Sequence, residues 1–312
     1  QKMYPLALQI SKKITFSIGY FLLWMFFSSD MWIIIIAEES PKEKRGRFSS
    51  YIALFGALGA IAIPISRDIF INQSASVNPS AWRIMNYLPM FSLFLAFLGI
   101  KMKETSTFKE IIVEKSNTRL LKNRLKQFTI PFQKIHRKKM FVFMIISIIL
   151  GANAAATTTL EAFLTFHIQD PDIVTNVIYI ATFGTFFFFG ITGYLTDKLG
   201  RKPIFILFVC LNFMAYFIIV VFASIIILQK HYWIFYIGAF IANGSFWGMF
   251  MLSKTFCAES FNTTIRGVSS GWRSFSYALG LVLGSFFAFY LAKDRDLGAI
   301  YLIFAFLIIT IA

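Results

Sequence analysis

Charged side chains are scarce in this chain: they make up 14% of its 312 residues, whereas 57% of the residues are hydrophobic. Soluble globular domains carry about 25% charged residues, so the composition excludes an ordinary soluble protein. The apolar residues form continuous runs of a length that crosses a bilayer as an α-helix, without the alternation of a membrane β-strand. The sequence therefore predicts an all-α protein, a polytopic membrane helical bundle.

Histidine and cysteine are scarcer still, with three and two copies. Cys210 and Cys257 lie within or at the end of apolar runs, where a free cysteine is usually a small buried hydrophobe. No pair of histidines, Asp-His set, G-x-S-x-G motif or Cys/His metal spacing occurs within these runs. We therefore expect a protein that is not an enzyme and that has no metal site and no cofactor.

Nine apolar runs are predicted as membrane spans. They lie near residues 14–36, 49–69, 82–101, 140–165, 175–195, 203–226, 232–253, 268–291 and 297–312. The ninth run stops without a polar flank, and the chain begins at Gln1 with neither an initiator methionine nor a cleavage site for a signal peptide. We expect both ends to be truncated.

The net charge of +15 is concentrated on one side of the predicted membrane. Most lysines and arginines fall in four segments between spans, at residues 38–48, 102–139, 194–202 and 254–273. An excess of Lys and Arg is typical of cytoplasmic segments. We therefore expect these segments to face the cytoplasm, in the cell (plasma or inner) membrane, with the lipid bilayer rather than nucleic acid as their partner.

Two segments between spans resemble each other at an offset of 221 residues. AEESPKEKRG at 37–46 and AESFNTTIRG at 258–267 pair Glu38 with Glu259, Arg45 with Arg266 and Gly46 with Gly267. Internal repeats are typical of secondary transporters. The repeat predicts two six-helix halves, with about nine helices present and the first three missing. The predicted domains are 1–101, the remainder of the N-terminal half; 102–139, a basic cytoplasmic linker; and 140–312, the C-terminal half.

Between the fifth and sixth spans, GYLTDKLGRK at residues 193–202 has the pattern G-x-x-x-D-K-x-G-R-K. With the paired A-E and R-G segments, it resembles the signature loop of the major facilitator superfamily, in the sugar and metabolite branches of these secondary transporters. The matching residues are Gly193, Asp197, Lys198, Gly200, Arg201 and Lys202. The resemblance implies a small-molecule substrate and two halves that rock to give alternating access, and we expect a monomer.

Two departures from the family pattern narrow the function. The second span lacks the G-P-x-x-G-G run of drug antiporters, and the seventh lacks the P-I-P-W run of many sugar porters. These absences disfavour drug efflux and a typical hexose carrier.

The signature residues and the repeated segments are predicted to form a cytoplasmic gate. Asp197 ends the fifth span, where a carboxylate can lie near the positive N-terminal end of a neighbouring helix or against an arginine. Glu38 with Arg45, and Glu259 with Arg266, are assigned to the same gate. Charges that pair in one conformation and separate in the other would bias alternating access. The alternative is that they only anchor the topology.

Charged groups inside spans are costly, which makes them functional candidates. Asp30 in the first span and Glu161 in the fourth are candidates for a proton or cation site. The alternatives are a structural hydrogen bond for Asp30 and an outward, solvent-facing position for Glu161. Lys254 is close enough to the cytoplasmic surface to extend its ammonium group there, which weakens its claim.

Two sets of residues at helical spacing are candidates for substrate contacts. They are Asn153, Thr157 and Glu161 on the fourth span, and Asn243, Trp247 and Lys254 on the seventh. The resemblance implies that these helices line the central cavity. We expect Asn153, Asn243 and Trp247 to contact substrate, with interhelical hydrogen bonding as the alternative for both asparagines.

The sequence thus predicts a secondary active transporter of a small polar metabolite, such as a sugar or an organic acid, that works by proton-coupled symport. A facilitative uniporter, an antiporter of the same fold and a truncated remnant that does not transport are the alternatives.

Overall fold

The computed structural model describes residues 18–19, 31–73, 128–168, 170–223, 230–292 and 298–311, and these ranges contain helices and no strand. The helices are α1 Met31–Glu39, α2 Arg45–Arg67, α3 Lys134–His167, α4 Pro171–Leu199, α5 Arg201–Val221, α6 Trp233–Ser260, α7 Thr263–Ala292 and α8 Gly298–Ile309. A 3-10 turn at Lys42–Lys44 precedes α2, and a π-helical turn at Asp68–Gln73 follows it. The predicted all-α helical bundle is confirmed.

Within the described ranges, five helices are long and apolar enough to cross a membrane: Arg45–Phe70, α3, α4, α5 and α6. They correspond to the predicted second, fourth, fifth, sixth and seventh spans. Helix α7 contains the predicted eighth span, and α8 lies within the ninth. The third span and most of the linker lie outside the described residues.

The predicted connection at residues 254–273 is wrong in extent. Helix α6 continues to Ser260 and α7 begins at Thr263, so two residues separate them. The cations in this stretch suggested an exposed loop, but Lys254 and Arg273 are buried at 3% and 0% exposure. Their charges are held between helices and not in solvent.

The turns on either side of α4 have local causes. Asp170 precedes the helix and accepts hydrogen bonds from the backbone N–H groups of Asp172 and Ile173, which otherwise lack partners in the first turn. At the other end, Gly200 has φ of 90°, a conformation that side chains with a Cβ rarely adopt. The chain can therefore reverse at Gly200 and begin α5 at Arg201.

Glycines bring the helices into close backbone contact. A Cβ on Gly151 of α3 would overlap the carbonyl oxygen of Tyr277 in α7, and one on Gly184 of α4 would overlap that of Phe240 in α6. Small residues are the usual means of close helix packing in membranes, where lipid removes most of the hydrophobic driving force between helices. These contacts hold α3 against α7 and α4 against α6.

A third close contact joins α2 to α4. A Cβ on Gly193 of α4 would overlap the carbonyl oxygen of Gly46 and the hydroxyl of Ser50 in α2. Farther along the same helix pair, Phe189 packs with Ala53 and Ala57. Because α2 precedes the predicted linker and α4 follows it, this pair connects the two predicted halves.

Candidate functional site

Asp197, near the end of α4, caps a helix to which it does not belong. Its side chain is 2% exposed, and its carboxylate oxygens accept hydrogen bonds from the backbone N–H groups of Gly46 and Arg47 at 3.2 and 3.1 Å. These groups lie in the first turn of α2, where no intrahelical acceptor is available, and Lys44 provides no side-chain cap. The negative charge also faces the positive end of the α2 dipole.

Two arginines extend the contact from Asp197. The Nε atom of Arg47 lies 3.6 Å from Oδ2, and Nη1 of Arg201 lies 3.9 Å from Oδ1. Arg201 also donates from Nε and Nη2 to the two carboxylate oxygens of Glu259, at 2.9 and 2.8 Å. The bidentate geometry fixes the guanidinium plane and links α5 to α6.

Glu38 at the end of α1 pairs with Arg266 in the first turn of α7, with Oε1 and Nη1 3.6 Å apart and both side chains 10% exposed. Burial lowers the pKa of the Arg266 guanidinium from its ordinary value, whereas the Glu38 carboxylate acts in the opposite direction. An arginine remains charged even so. Arg45 donates from Nε to the carbonyl oxygen of Ser40 at 3.3 Å.

The acids of the repeated segments thus pair outside their own segments, Glu38 with Arg266 and Glu259 with Arg201. We call Asp197, Arg47, Arg201, Glu259, Glu38 and Arg266 the latch. It holds the first turn of α2 and the end of α1 to α4 and α7, and therefore spans both sides of the predicted linker.

The other signature residues have distinct positions. Gly193 allows the close approach of α2, and Gly200 allows the turn into α5. The Nζ atom of Lys198 lies 4.4 Å from the centroid of the Tyr194 ring, which is a cation–π contact. Lys202 is exposed at the start of α5, where it can contact lipid phosphates.

At the opposite end of α2, Arg67 makes a second contact across the predicted halves. Its side chain is 8% exposed, and its Nε donates to Oε1 of Glu161 at 2.7 Å. Its Nη1 donates to Oγ1 of Thr175 on α4. Glu161, 49% exposed, also lines a shallow, open depression at this end of α3. The sequence analysis missed Arg67, whose only signal was a cation at the end of an apolar run.

Asn153 and Thr157, which lie at helical spacing on α3, differ in their hydrogen bonding. Asn153 is 1% exposed, and neither its Nδ2 nor its Oδ1 has a hydrogen-bond partner within the described ranges. An unsatisfied buried amide is costly, which keeps Asn153 a candidate for contact with a polar substrate. Thr157 donates to the carbonyl oxygen of Ala154 in its own helix at 2.8 Å.

Asn243 and Trp247 of α6 contact neighbouring helices and aromatic rings. The Nδ2 group of Asn243 donates to Ala181 O and to Thr185 Oγ1 at 2.9 and 2.7 Å, which is the interhelical alternative. The Trp247 ring packs against Phe189 of α4, with centroids 6.3 Å apart, and against Phe250 of its own helix. Asp30 lies outside the described residues.

Contrary to the expectation from the sequence, Lys254 does not extend toward the membrane surface. It is 3% exposed, and its Nζ lies 4.3 Å from the centroid of Phe250 and 5.8 Å from that of Trp32 on α1. Arg273, fully buried on α7, has its Cζ 5.8 Å from the same Phe250 ring. The sequence analysis did not select Arg273, which falls both in the predicted connection at 254–273 and in the predicted eighth span at 268–291.

Comparison with known proteins identifies the family. The family model of the Major Facilitator Superfamily matches residues 13–285, a range that includes the latch, the Arg67 contact and both buried cations. A comparison with curated proteins finds no match. Members of this superfamily move small molecules across membranes and are generally not enzymes. The chain is therefore a multi-pass integral membrane protein and belongs to the Major Facilitator Superfamily of secondary transporters.

Proposed function

We propose that the chain is a proton-coupled symporter that moves a small polar metabolite across the cell (plasma or inner) membrane by alternating access. The observation that carries the proposal is the latch, because its contacts connect α1 and α2 with helices beyond the predicted linker. For example, the carboxylate of Asp197 on α4 accepts hydrogen bonds from two backbone N–H groups of α2. In this proposal the contacts form in one conformation and are lost in the other, as a transporter with two rocking halves requires.

In this proposal the halves are residues 1–101 and 140–312, joined by the linker at 102–139. The latched arrangement is the conformation closed at the cytoplasmic end. Opening toward the cytoplasm separates α2 from the end of α4 and breaks the bonds of Asp197. The transporter acts as a monomer, with protons, the metabolite and the lipid bilayer as its partners, without a cofactor and without binding nucleic acid.

The coupling site is one of the two acids inside the predicted spans. Glu161 is bonded to Arg67 at the outer end, where the two form a contact between the halves. Asp30 is therefore the first candidate for the carboxylate that gains and loses the proton, with Glu161 second. An acid held within a span can favour its neutral form and so respond to a pH gradient. Asn153, Asn243 and Trp247 are proposed to contact the metabolite, with Thr157 on the same wall.

The test is uptake by the purified chain in liposomes, with a panel of labelled monosaccharides and organic acids and an imposed pH gradient. We expect accumulation of at least one compound, and we expect Asp30→Asn to lose its dependence on the gradient while exchange without a gradient continues. The matched control is Asp172→Asn, because Asp172 is an exposed acid in the first turn of α4.

The outcomes separate the parts of the proposal. Coupling retained in Asp30→Asn but lost in Glu161→Gln assigns the proton to Glu161. Coupling retained in both variants contradicts proton symport through these acids. If the unmodified chain moves no compound of the panel, the proposed transport itself is contradicted.

A further inference from the structure

Tyr194 follows the glycine at which α4 makes its close contact with α2. A Cβ on Gly193 would overlap the carbonyl oxygen of Gly46, so the next residue on each helix, Tyr194 and Arg47, flanks this contact. The Cζ atom of Arg47 lies 5.4 Å from the centroid of the Tyr194 ring. A guanidinium within about 6 Å of an aromatic centroid is attracted to the negative face of the ring. The ring therefore joins α4 to α2 beside the latch.

Arg47 and Arg201 are held by different kinds of contact. Arg201 donates two hydrogen bonds to the carboxylate of Glu259, and these fix the plane of its guanidinium. The Nε atom of Arg47 is buried, lies 3.6 Å from Oδ2 of Asp197, and has no hydrogen-bond partner within the described ranges. A charge pair longer than a hydrogen bond attracts the guanidinium without fixing its orientation. The Tyr194 ring limits that orientation, because it offers a flat face to a planar cation.

The Tyr194 ring also contacts a cation of its own helix. The Nζ atom of Lys198, one turn farther along α4, lies 4.4 Å from the ring centroid. This contact lies within α4 and does not depend on the position of α2. The contact with Arg47 exists only while the two helices are together. Of these two contacts, the one with Arg47 is the one that ties α4 to α2.

The exposure of Tyr194 allows a simpler role, which the test must separate from a role in the latch. Tyr194 is 47% exposed, and the side chain of Arg47 is 39% exposed. Tyrosine is enriched at membrane–water interfaces, where its ring lies at the level of the lipid headgroups. An interfacial anchor needs an amphipathic side chain but no guanidinium beside it. The two roles therefore differ in whether the negative ring face and Arg47 act together.

We propose that Tyr194 is a positioning residue of the latch, whose ring holds the guanidinium of Arg47 against the carboxylate of Asp197 in the closed conformation. The carboxylate accepts hydrogen bonds from the backbone of α2, and the ring adds a contact with a side chain of the same turn. This inference rests on the proposed function, in which the latch opens and closes. It adds to the signature loop a residue at a position that the pattern leaves open.

The test measures the distance distribution between spin labels at Lys44 and Leu199 in the full chain without its native cysteines. Both residues are exposed and lie at the latch end. In Tyr194→Leu the ratio of short, latched distances to long distances should fall about 2- to 5-fold, as expected for an exposed cation–π contact. Tyr194→Phe keeps the ring and should restore the ratio.

Fluorinated phenylalanines in place of Tyr194 isolate the electrostatic attraction. Fluorine withdraws electron density from the ring face and hardly changes the size of the ring, so mono-, di- and trifluorinated rings should lower the ratio step by step. In the Arg47→Gln background the same series should leave the ratio unchanged, because the coupled partner is absent. A ratio that ignores fluorination while Arg47 is present would overturn the inference. This arm remains decisive if Tyr194→Leu does not fold.

The matched control is Tyr51→Leu, because Tyr51 is an exposed tyrosine of α2 whose ring packs against Phe48. That variant should keep the ratio of the unmodified chain. An unchanged ratio in Tyr194→Leu, while Asp197→Asn shifts it, would overturn the inference and leave the proposed function intact. An equally large loss in the Arg47→Gln background would also overturn it. One narrow distance in every variant would contradict the proposed function and this inference with it.

Discussion

At the scale of single residues, Asp197 acts as a cap supplied from outside the helix. A helix N-terminus is commonly capped by the side chain of the residue before it, but Lys44, which precedes α2, provides no such cap. The cap on α2 exists only while α2 and α4 are together. The stability of the first turn of α2 is therefore tied to the conformation of the whole bundle.

Substitution of Asp197 by Asn tests the charge of this cap. The amide keeps one acceptor for α2 but loses the negative charge, which is worth about 0.3–1 kcal/mol at a helix end and up to about 2 kcal/mol when partly buried. We expect a folded protein whose latched conformation is less populated and whose uptake is several-fold slower in liposomes. Glu43→Gln, an exposed acid just before α2, is the control. Wild-type uptake in Asp197→Asn would contradict the latch.

Sequence reasoning reached Asp197 but not every charged residue that the structure brings together. The signature pattern and the physics of helix ends were sufficient to place Asp197 near another helix. The partners of Glu38 and Glu259 depend on how α1, α5, α6 and α7 pack, which spacing along the chain does not contain. Arg273, at the overlap of the predicted connection 254–273 and the predicted span 268–291, was missed because its burial depends on the packing of α7 against other helices.

At the scale of helices, α2 and α4 form the joint between the predicted halves. Gly193 and the backbone of Gly46 set the separation of the two helices near the latch. At the far end, Arg67 of α2 reaches Thr175 of α4 and Glu161 of α3. The pair is thus held near both ends, and between these ends Ala53 and Ala57 of α2 pack with Phe189 of α4.

A methyl group at Gly193 should open this joint. In Gly193→Ala the new Cβ overlaps Gly46 O and Ser50 Oγ, so α2 must move away from α4. We expect a cysteine at the buried position Ser49 to react with a small maleimide several-fold faster than it does with Gly193 intact. The background lacks Cys210 and Cys257, the only native cysteines.

The control for this substitution is Gly56→Ala on α2, where an added Cβ meets no atom within 4 Å. That variant should label at the unmodified rate. Equal labelling of the two alanine variants would show that the close contact at Gly193 does not set the separation of the helices.

Helix bounds followed the apolar runs because membrane helices need long uninterrupted hydrophobic stretches. The predicted spans at 140–165 and 175–195 lie inside α3 and α4. The misplaced connection at 254–273 shows where this rule stops. A helix can carry cations beyond its apolar run when other helices bury them, as α6 does with Lys254.

At the scale of the whole molecule, the proposed alternating access requires two conformations, and in that proposal the contacts of the latch are the ones that break. The family match establishes a secondary transporter, and the repeat at an offset of 221 residues supplies the proposed division into halves. The contacts at Asp197 and the contact at Arg67 lie at opposite ends of α2. If the proposed halves rock about α2 and α4, the contacts at one end of α2 would open while the contacts at the other end close.

The most direct measurement is the distance distribution between spin labels at Lys44 and Leu199 in the variant without native cysteines. Both residues are exposed, and they lie at the latch end on opposite sides of the predicted linker. The account predicts two populations, one latched and short and one longer, with Asp197→Asn shifting the balance toward the longer distance. A single narrow distance that is the same in both proteins would contradict alternating access through this latch.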